Sequence, residues 1–338
     1  MPIKISPLSK KSPPLSTVGF WVVLAAVALW PVLCGFNPYA LRVAGQIGLY
    51  VVLALGLNFT LGYAGLFDLG FIAFYAVGAY TAALLSVRGW SFVPATLAAA
   101  LAAVVVRVWV GIPILRLRGD YLAIVTMGFG EIARLVLNNW DSLTNGPKGL
   151  PRVGEAIWPA KIFGFTLSTN THYYYLIMGA VLLSVLIARR LEDSRLGRAW
   201  VAIREDETAA QLSGLPVAQL KLAAFTISAF FAGLAGSIFA HWERFVTPES
   251  FVFWESILLV SMIVAGGMGS IKGVILGTVL LGGVPQMLQA VLVGSQWINY
   301  RYFVFGLVLV LAVLFRPQGL WPSRRREFEI LDQEHAAV

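Results

Sequence analysis

The sequence predicts an all-α polytopic membrane protein, with about ten transmembrane helices and one short amphipathic helix on the cytoplasmic side. Three observations lead there. Apolar residues make up 58% of the 338 and charged residues only 12%, against roughly 45–50% and 25% in soluble domains. A soluble globule of this size could not bury so much apolar surface. The apolar residues also come in continuous Leu/Val/Ala-rich runs, without the ten-residue alternation of a membrane barrel. Helices satisfy their own backbone in lipid, so the runs read as helical spans. Lastly, Lys and Arg gather in short segments between the runs. Topology therefore explains the net charge of +8, and nucleic acid is not an expected partner.

The elements follow in order. Residues 1–17 form a basic tail with Lys4, Lys10 and Lys11, and an apolar run follows. This pair resembles a secretory signal but lacks a convincing small-x-small cleavage site, so it reads as an uncleaved first span. The predicted spans are 18–36, 41–61, 71–87, 92–115, 120–139, 173–190, 222–241, 252–268, 274–293 and 301–316. Together they make a membrane domain over 18–316, with a second tail at 317–338. With the N-terminus inside, sixteen Lys/Arg fall on the cytoplasmic side and seven outside, while Arg107 and Arg134 fall within spans. Both termini are expected in the cytoplasm. Trp90, Trp140, Tyr173–Tyr175 and Trp321 flank proposed span ends, as in an aromatic belt.

Two hydrophilic segments interrupt the pattern. The loop 140–172, predicted outside, holds the turn formers Asn145-Gly146-Pro147, Gly149 and Pro151. The segment 191–221, predicted inside, has good helix formers over 198–212, with Val201, Ile203, Ala209 and Leu212 as its apolar positions. Gly214 and Pro216 stop it. One short amphipathic helix is expected there.

Catalytic signals are missing. There is no G-x-x-x-x-G-K-[ST], and Gly266-Gly267-Met268-Gly269-Ser270-Ile271-Lys272 has the wrong spacing for a phosphate cradle. His172, His241 and His335 show no metal-ligand spacing. Cys34 is alone, so no disulfide forms within the chain. What remains looks like a pathway. Asp68 lies in the glycine-rich break Gly62-Tyr63-Ala64-Gly65-Leu66-Phe67-Asp68-Leu69-Gly70. An aspartate facing lipid is costly. It reads either as a tight cytoplasmic turn with Asp68 capping the next helix, or as a half-broken helix lining a route. Glu131 and Arg134 share a helix face at i, i+3 and are expected to pair, with a gate or a polar-substrate contact as the alternative. Asn58, Thr60, Thr126 and Ser261 are mid-span polar residues, of the kind that join helices.

These residues carry a family resemblance. Gly62-Tyr63-Ala64-Gly65, Asp68-Leu69-Gly70 and Gly78-Ala79-Tyr80 resemble the early segment of LivM-type permeases, membrane subunits of bacterial branched-chain amino acid ABC importers. The run Arg116–Thr126, then Gly130-Glu131-Ile132 and Asn145–Leu150, is similar to the family's central block. Gly197-Arg198-Ala199, Ala202–Glu207, Ala209-Ala210 and Gly214 resemble its cytoplasmic loop. Gly266–Ser270 and Arg316-Pro317-Gln318-Gly319-Leu320 resemble its C-terminal signatures. The likeness spans residues 40–320. Phe67-Asp68 and Phe71-Ile72 depart from the small polar residues, His or Ala, often found there.

The resemblance implies an ATP-driven importer that carries branched-chain or related neutral amino acids by alternating access in the bacterial inner membrane. Its partners would be a second, LivH-like permease subunit, two ATPase subunits, a periplasmic binding protein and membrane lipid. No cofactor is expected in this chain, because ATP and Mg would act in the ATPases. Arg198, Arg204, Glu205, Asp206, Glu207, Ala209, Ala210 and Gly214 would form the ATPase-coupling helix. Asn58, Tyr63, Gly65, Asp68, Thr126, Glu131, Arg134 and Ser261 are candidates for the substrate pathway or gate. Relatives that carry urea, amides or small organic acids keep those substrates open. A stand-alone secondary transporter and a lipid-acting membrane enzyme are the readings from other classes.

Overall fold

The computed structural model describes residues 26–117, 119–151, 153, 161–162 and 165–291, with 306, 307, 310, 314 and 319–321. The tail 1–17, the start of span 18–36, most of span 301–316 and nearly all of 317–338 lie outside the described residues. The remaining eight predicted spans correspond to helices. These are α1 (Pro38–Asn58), α2 (Phe71–Val87), α3 (Phe92–Ile114), α4 (Asp120–Asn139), α5 (Asn170–Glu192), α8 (Val217–Glu243), α9 (Phe253–Gly266) and α10 (Ile271–Val291). Between α5 and α8 lie α6 (Arg195–Glu205) and α7 (Glu207–Leu212). Among the described residues, five helical segments are long and apolar enough to cross a membrane: Pro38–Tyr63, Phe92–Ile114, Asn170–Glu192, Val217–Glu243 and Pro248–Gly266. Phe71–Val87 and Ile271–Gln286 are apolar but shorter. The 20-residue α4 carries Asp120, Glu131 and Arg134.

The core forms around α8, which packs on α1, α2 and α3. Small residues let these backbones meet, as they must where lipid supplies no hydrophobic drive between helices. Gly78 of α2 abuts the backbone of Gly233 in α8, and Gly233 in turn abuts Ala99, Ala100 and Ala103 of α3. On α3 the buried positions Ala95, Ala99, Ala103, Arg107 and Gly111 recur every fourth residue. Its other face exposes Leu97, Leu101, Val105, Trp109 and Ile112, an unbroken apolar stripe suited to lipid.

The bundle has two distinct ends. One carries α6 and α7. The other carries the segment between α4 and α5, where Leu150–Pro151 pairs antiparallel with Phe245–Val246 just after α8. Asn145 and Gly146 both take left-handed backbone there, and the Asn145 side chain donates to Gly149 O at 2.8 Å. The turn formers of that loop thus act as expected. The aromatic positions divide: Trp90, Trp140 and Trp321 stand exposed, whereas Tyr173 and Tyr174 are buried, with the Tyr174 hydroxyl donating to Val27 O.

One expectation is corrected. The predicted single helix over 198–212 is two helices, because Asp206 takes an extended conformation (φ −153°, ψ 110°) and starts α7. Its carboxylate accepts from the N–H groups of Thr208 (2.7 Å) and Ala209 (2.9 Å). An aspartate offered two orphan donors ends one helix and begins another, whatever the propensity of its neighbours. The far end is as predicted. Gly214 is left-handed (φ +82°), and Gly214 and Leu215 donate back to Gln211 O and Ala210 O in a Schellman motif.

Candidate functional site: a glycine-rich link, its ion pair and the segment packed on it

The glycine-rich break joins α1 to α2. After Asn58 the last turn of α1 widens into a π-helix over Phe59–Tyr63, and an irregular stretch follows to Gly70. Such π turns free backbone groups inside a span, and neighbouring elements must satisfy them. Four do so. The Asn58 side chain accepts from Gly269 N–H at 3.0 Å, joining the break to the Gly-rich link between α9 and α10. Thr126 of α4 accepts from Leu69 N–H at 3.1 Å and donates to Ala123 O. Arg204 of α6 donates to Gly62 O at 2.7 Å. Gly65 is left-handed (φ +69°) and seats on the Arg204 side chain, so a residue with a Cβ there would be both strained and crowded.

Asp68 accepts from the N–H of Gly70, the residue just before α2, at 3.2 Å. It also forms an ion pair with Arg107 of α3, at 2.5 Å and with both residues 1% exposed. The guanidinium lies between the rings of Phe74 (4.5 Å) and Phe225 (3.9 Å). Stacked arginine of this kind keeps its charge while buried. Asp68 therefore fixes the break against α3 rather than standing in an open channel. Arg107 was missing from the sequence candidates. Its signal was available, because a charge in the apolar run of α3 must have a partner. Nothing in the sequence pointed to one 39 residues away.

The segment 195–214 is held firmly to this break. Trp200 is fully buried, and its indole donates to Leu220 O at 2.8 Å. Glu207 pairs with the buried Lys221 of α8 at 2.7 Å. Ala210 is buried as well. Arg198, Glu205, Ala209 and Gly214 face outward, and Leu212 stands 85% exposed at the tip of α7. The eight predicted coupling residues thus divide: Arg204, Glu207 and Ala210 hold the segment to the bundle, Asp206 caps α7, and the other four form an outer surface. A cavity of about 270 Å³ opens between this segment, the break and α4, lined by Gly65, Phe67, Asp120, Arg204, Glu207 and Lys221.

The other candidates lie apart. Tyr63 is buried in the π turn and stacks on Phe59. Ser261 is largely buried in α9. Glu131 and Arg134 do pair, by three hydrogen bonds, near the opposite end of the bundle. Arg134 also reaches Glu249, which the sequence reading did not single out, at 3.2 Å. Among the described residues no group of three His, Cys, Asp or Glu side chains could hold a metal ion.

A bundle of apolar helices, with a glycine-rich link held against a short amphipathic segment, is the build of a polytopic membrane permease. The chain belongs to the family described as "Branched-chain amino acid transport system / permease component", whose profile it matches over residues 39–313. It is 39% identical to the high-affinity branched-chain amino acid transport system permease protein LivM of Salmonella typhimurium, over 92% of this chain and 76% of that protein. LivM of Escherichia coli K12 matches to the same extent. The permease protein LivH of Escherichia coli K12 is 25% identical over 80% of this chain and 90% of its own. No solved structure matches the chain.

Proposed function

We propose that this chain is one permease subunit of an ATP-driven importer, moving branched-chain or related neutral amino acids inward by alternating access. The observation that carries the reading is the rigid tie between α6–α7 and the broken span: Arg204 on Gly62 O, Glu207 on Lys221, and buried Trp200. A force on the exposed tip of α7 reaches the π turn through these contacts, as a lever should. The names of the LivM and LivH relatives supply the substrate class. In this reading a LivH-like subunit completes the pathway, two ATPases dock on the outer surface of α6–α7, and a periplasmic binding protein delivers substrate. ATP and Mg act in the ATPases and no cofactor in this chain. Both termini and α6–α7 lie in the cytoplasm, and the loop between α4 and α5 lies outside. The chain sits in the bacterial inner membrane, with 18–316 as its permease domain.

The test is reconstitution. Proteoliposomes holding this chain, its homologous subunit and the ATPases should take up leucine only with ATP and binding protein together. Gradient-driven uptake by this chain alone would overturn the reading in favour of a secondary transporter.

A further inference from the structure

The Arg134 group is built unlike an ordinary helix-surface pair. Glu131 engages Nε and Nη2 of Arg134 at 3.0 and 2.5 Å, which already satisfies a two-residue pair on α4. A second carboxylate then arrives from another element, Glu249 in the short turn Pro248–Phe251 ahead of α9, and takes Nη1 at 3.2 Å. The group carries one cation and two anions. Exposure grades outward, from 21% for the Arg134 side chain to 42% for Glu131 and 67% for Glu249. A lipid-facing surface does not carry such a group without large cost. The outer stripe of α3 shows what this chain presents to lipid, and it holds no charge. The flank of α4 that bears Glu131 and Arg134 thus faces water or protein.

That flank continues as an apolar surface. Ile124 and Met127 lie exposed one to two turns away on the same helix. The inward side of α4 touches the broken span directly: Thr126 holds Leu69 N–H, and the Gly130 backbone lies against Gly70. The group therefore stands at the outer end of a helix whose middle reaches the break.

We infer that Arg134, Glu131 and Glu249 form a station for the zwitterionic end of a neutral amino acid, a role that rests on the permease reading above. The α-carboxylate displaces Glu249 from Nη1 of Arg134, the weakest of the contacts, and the α-ammonium takes the released Glu249 carboxylate. Glu131 stays in place and holds the guanidinium plane. A zwitterion is neutral, so the net charge of the group does not change as substrate arrives or leaves. Both substrate charges exchange water for an opposite charge in one step, while the aliphatic side chain lies along α4 on the side of Met127. An amide or an organic acid supplies only half of this match, so the station favours α-amino acids over the other substrates of similar size.

The experiment uses the whole complex in proteoliposomes with leucine-loaded binding protein. E249Q, at the most exposed position, should raise the binding-protein concentration for half-maximal uptake, or lower the maximal rate, by about tenfold, the scale of one charge-assisted contact. Assembly of the complex should not move. The exchanged variant E131R/R134E keeps a pair on α4 but reverses its sense, and it should stay as defective as R134Q. If E249Q transports normally, or if the exchanged variant recovers uptake, the group is a structural pair and the inference fails. ATP-driven uptake by the unaltered complex checks the permease reading separately.

Discussion

Asp68–Arg107 and Glu131–Arg134 are both carboxylate–guanidinium pairs, each held by a contact of 2.5 Å, but their surroundings are opposite. The first joins the glycine-rich break to α3, is buried and is covered by two aromatic rings. The second lies on one helix, is open on its flank and has a second carboxylate in attendance. Contact geometry alone would rank them equal. The cost of breaking them separates them, because a buried partner left alone keeps its desolvation penalty, whereas an exposed one returns to water. The inner pair is architecture and the outer one is available for exchange.

The largest expected effect follows from the inner pair. Arg107→Ala should destabilise the chain by about 3–5 kcal/mol, the usual cost of stranding a buried charge, and should lower the yield of folded protein in detergent. Replacing both partners at once, Asp68→Asn with Arg107→Met, should recover part of that loss, since no isolated charge remains. Thermal unfolding of the purified protein measures both. If Arg107→Ala proves no worse than Arg134→Ala, the distinction between the pairs collapses.

A packing substitution should come next. Gly233 sits where α8 meets both α2 and α3 with backbone on either side, so Gly233→Leu forces the helices apart. Overpacking of this kind costs about 1–3 kcal/mol. The same substitution at Gly128 of α4, where nothing lies within 4 Å, should be nearly silent in the isolated subunit. The same melting assay reads both, and equal losses would mean that α4 is packed more tightly than its exposure suggests.

Much of this arrangement can be read in the sequence. Eight spans announce themselves as apolar runs, and the glycines of 62–70 mark the break because few other residues fit there. The rest depends on distances that a linear pattern does not contain. Arg107 and Asp68 are 39 residues apart, and neither apolar periodicity nor spacing brings them together. Glu249 is 115 residues from Arg134, and no local pattern joins them. The break at Asp206 escaped because good helix formers flank it on both sides, and propensity summed over a window hides one capping side chain. The i, i+3 pair of Glu131 and Arg134 was legible because it is local.

The lever divides in the same way, into residues held inside and residues turned out. Charge reversal at Glu207 and at Glu205 would look equivalent from sequence, since both acids lie in one charged stretch. Their surroundings say otherwise. Glu207→Lys sets a second cation against buried Lys221 and should both lower stability and uncouple uptake from ATP hydrolysis. Glu205→Lys alters an exposed position and should leave melting unchanged while weakening only ATPase docking. Equal melting temperatures for the two variants would show that the Glu207–Lys221 tie does not hold the lever.

The smallest effect on stability is expected at the outer pair, and there a small number is informative. Glu131→Gln removes the charge of a side chain that is 42% exposed. Solvent screening limits the loss to about 1 kcal/mol or less, and Arg134 keeps Glu249 within reach. Melting should therefore barely change. Transport should change more, because Glu131 fixes the guanidinium plane on which the station depends. A variant that is stable, assembled and slow would separate function from architecture at this pair, which the inner pair does not allow. A variant that is unstable in proportion to its loss of uptake would place Glu131–Arg134 in the same class as Asp68–Arg107.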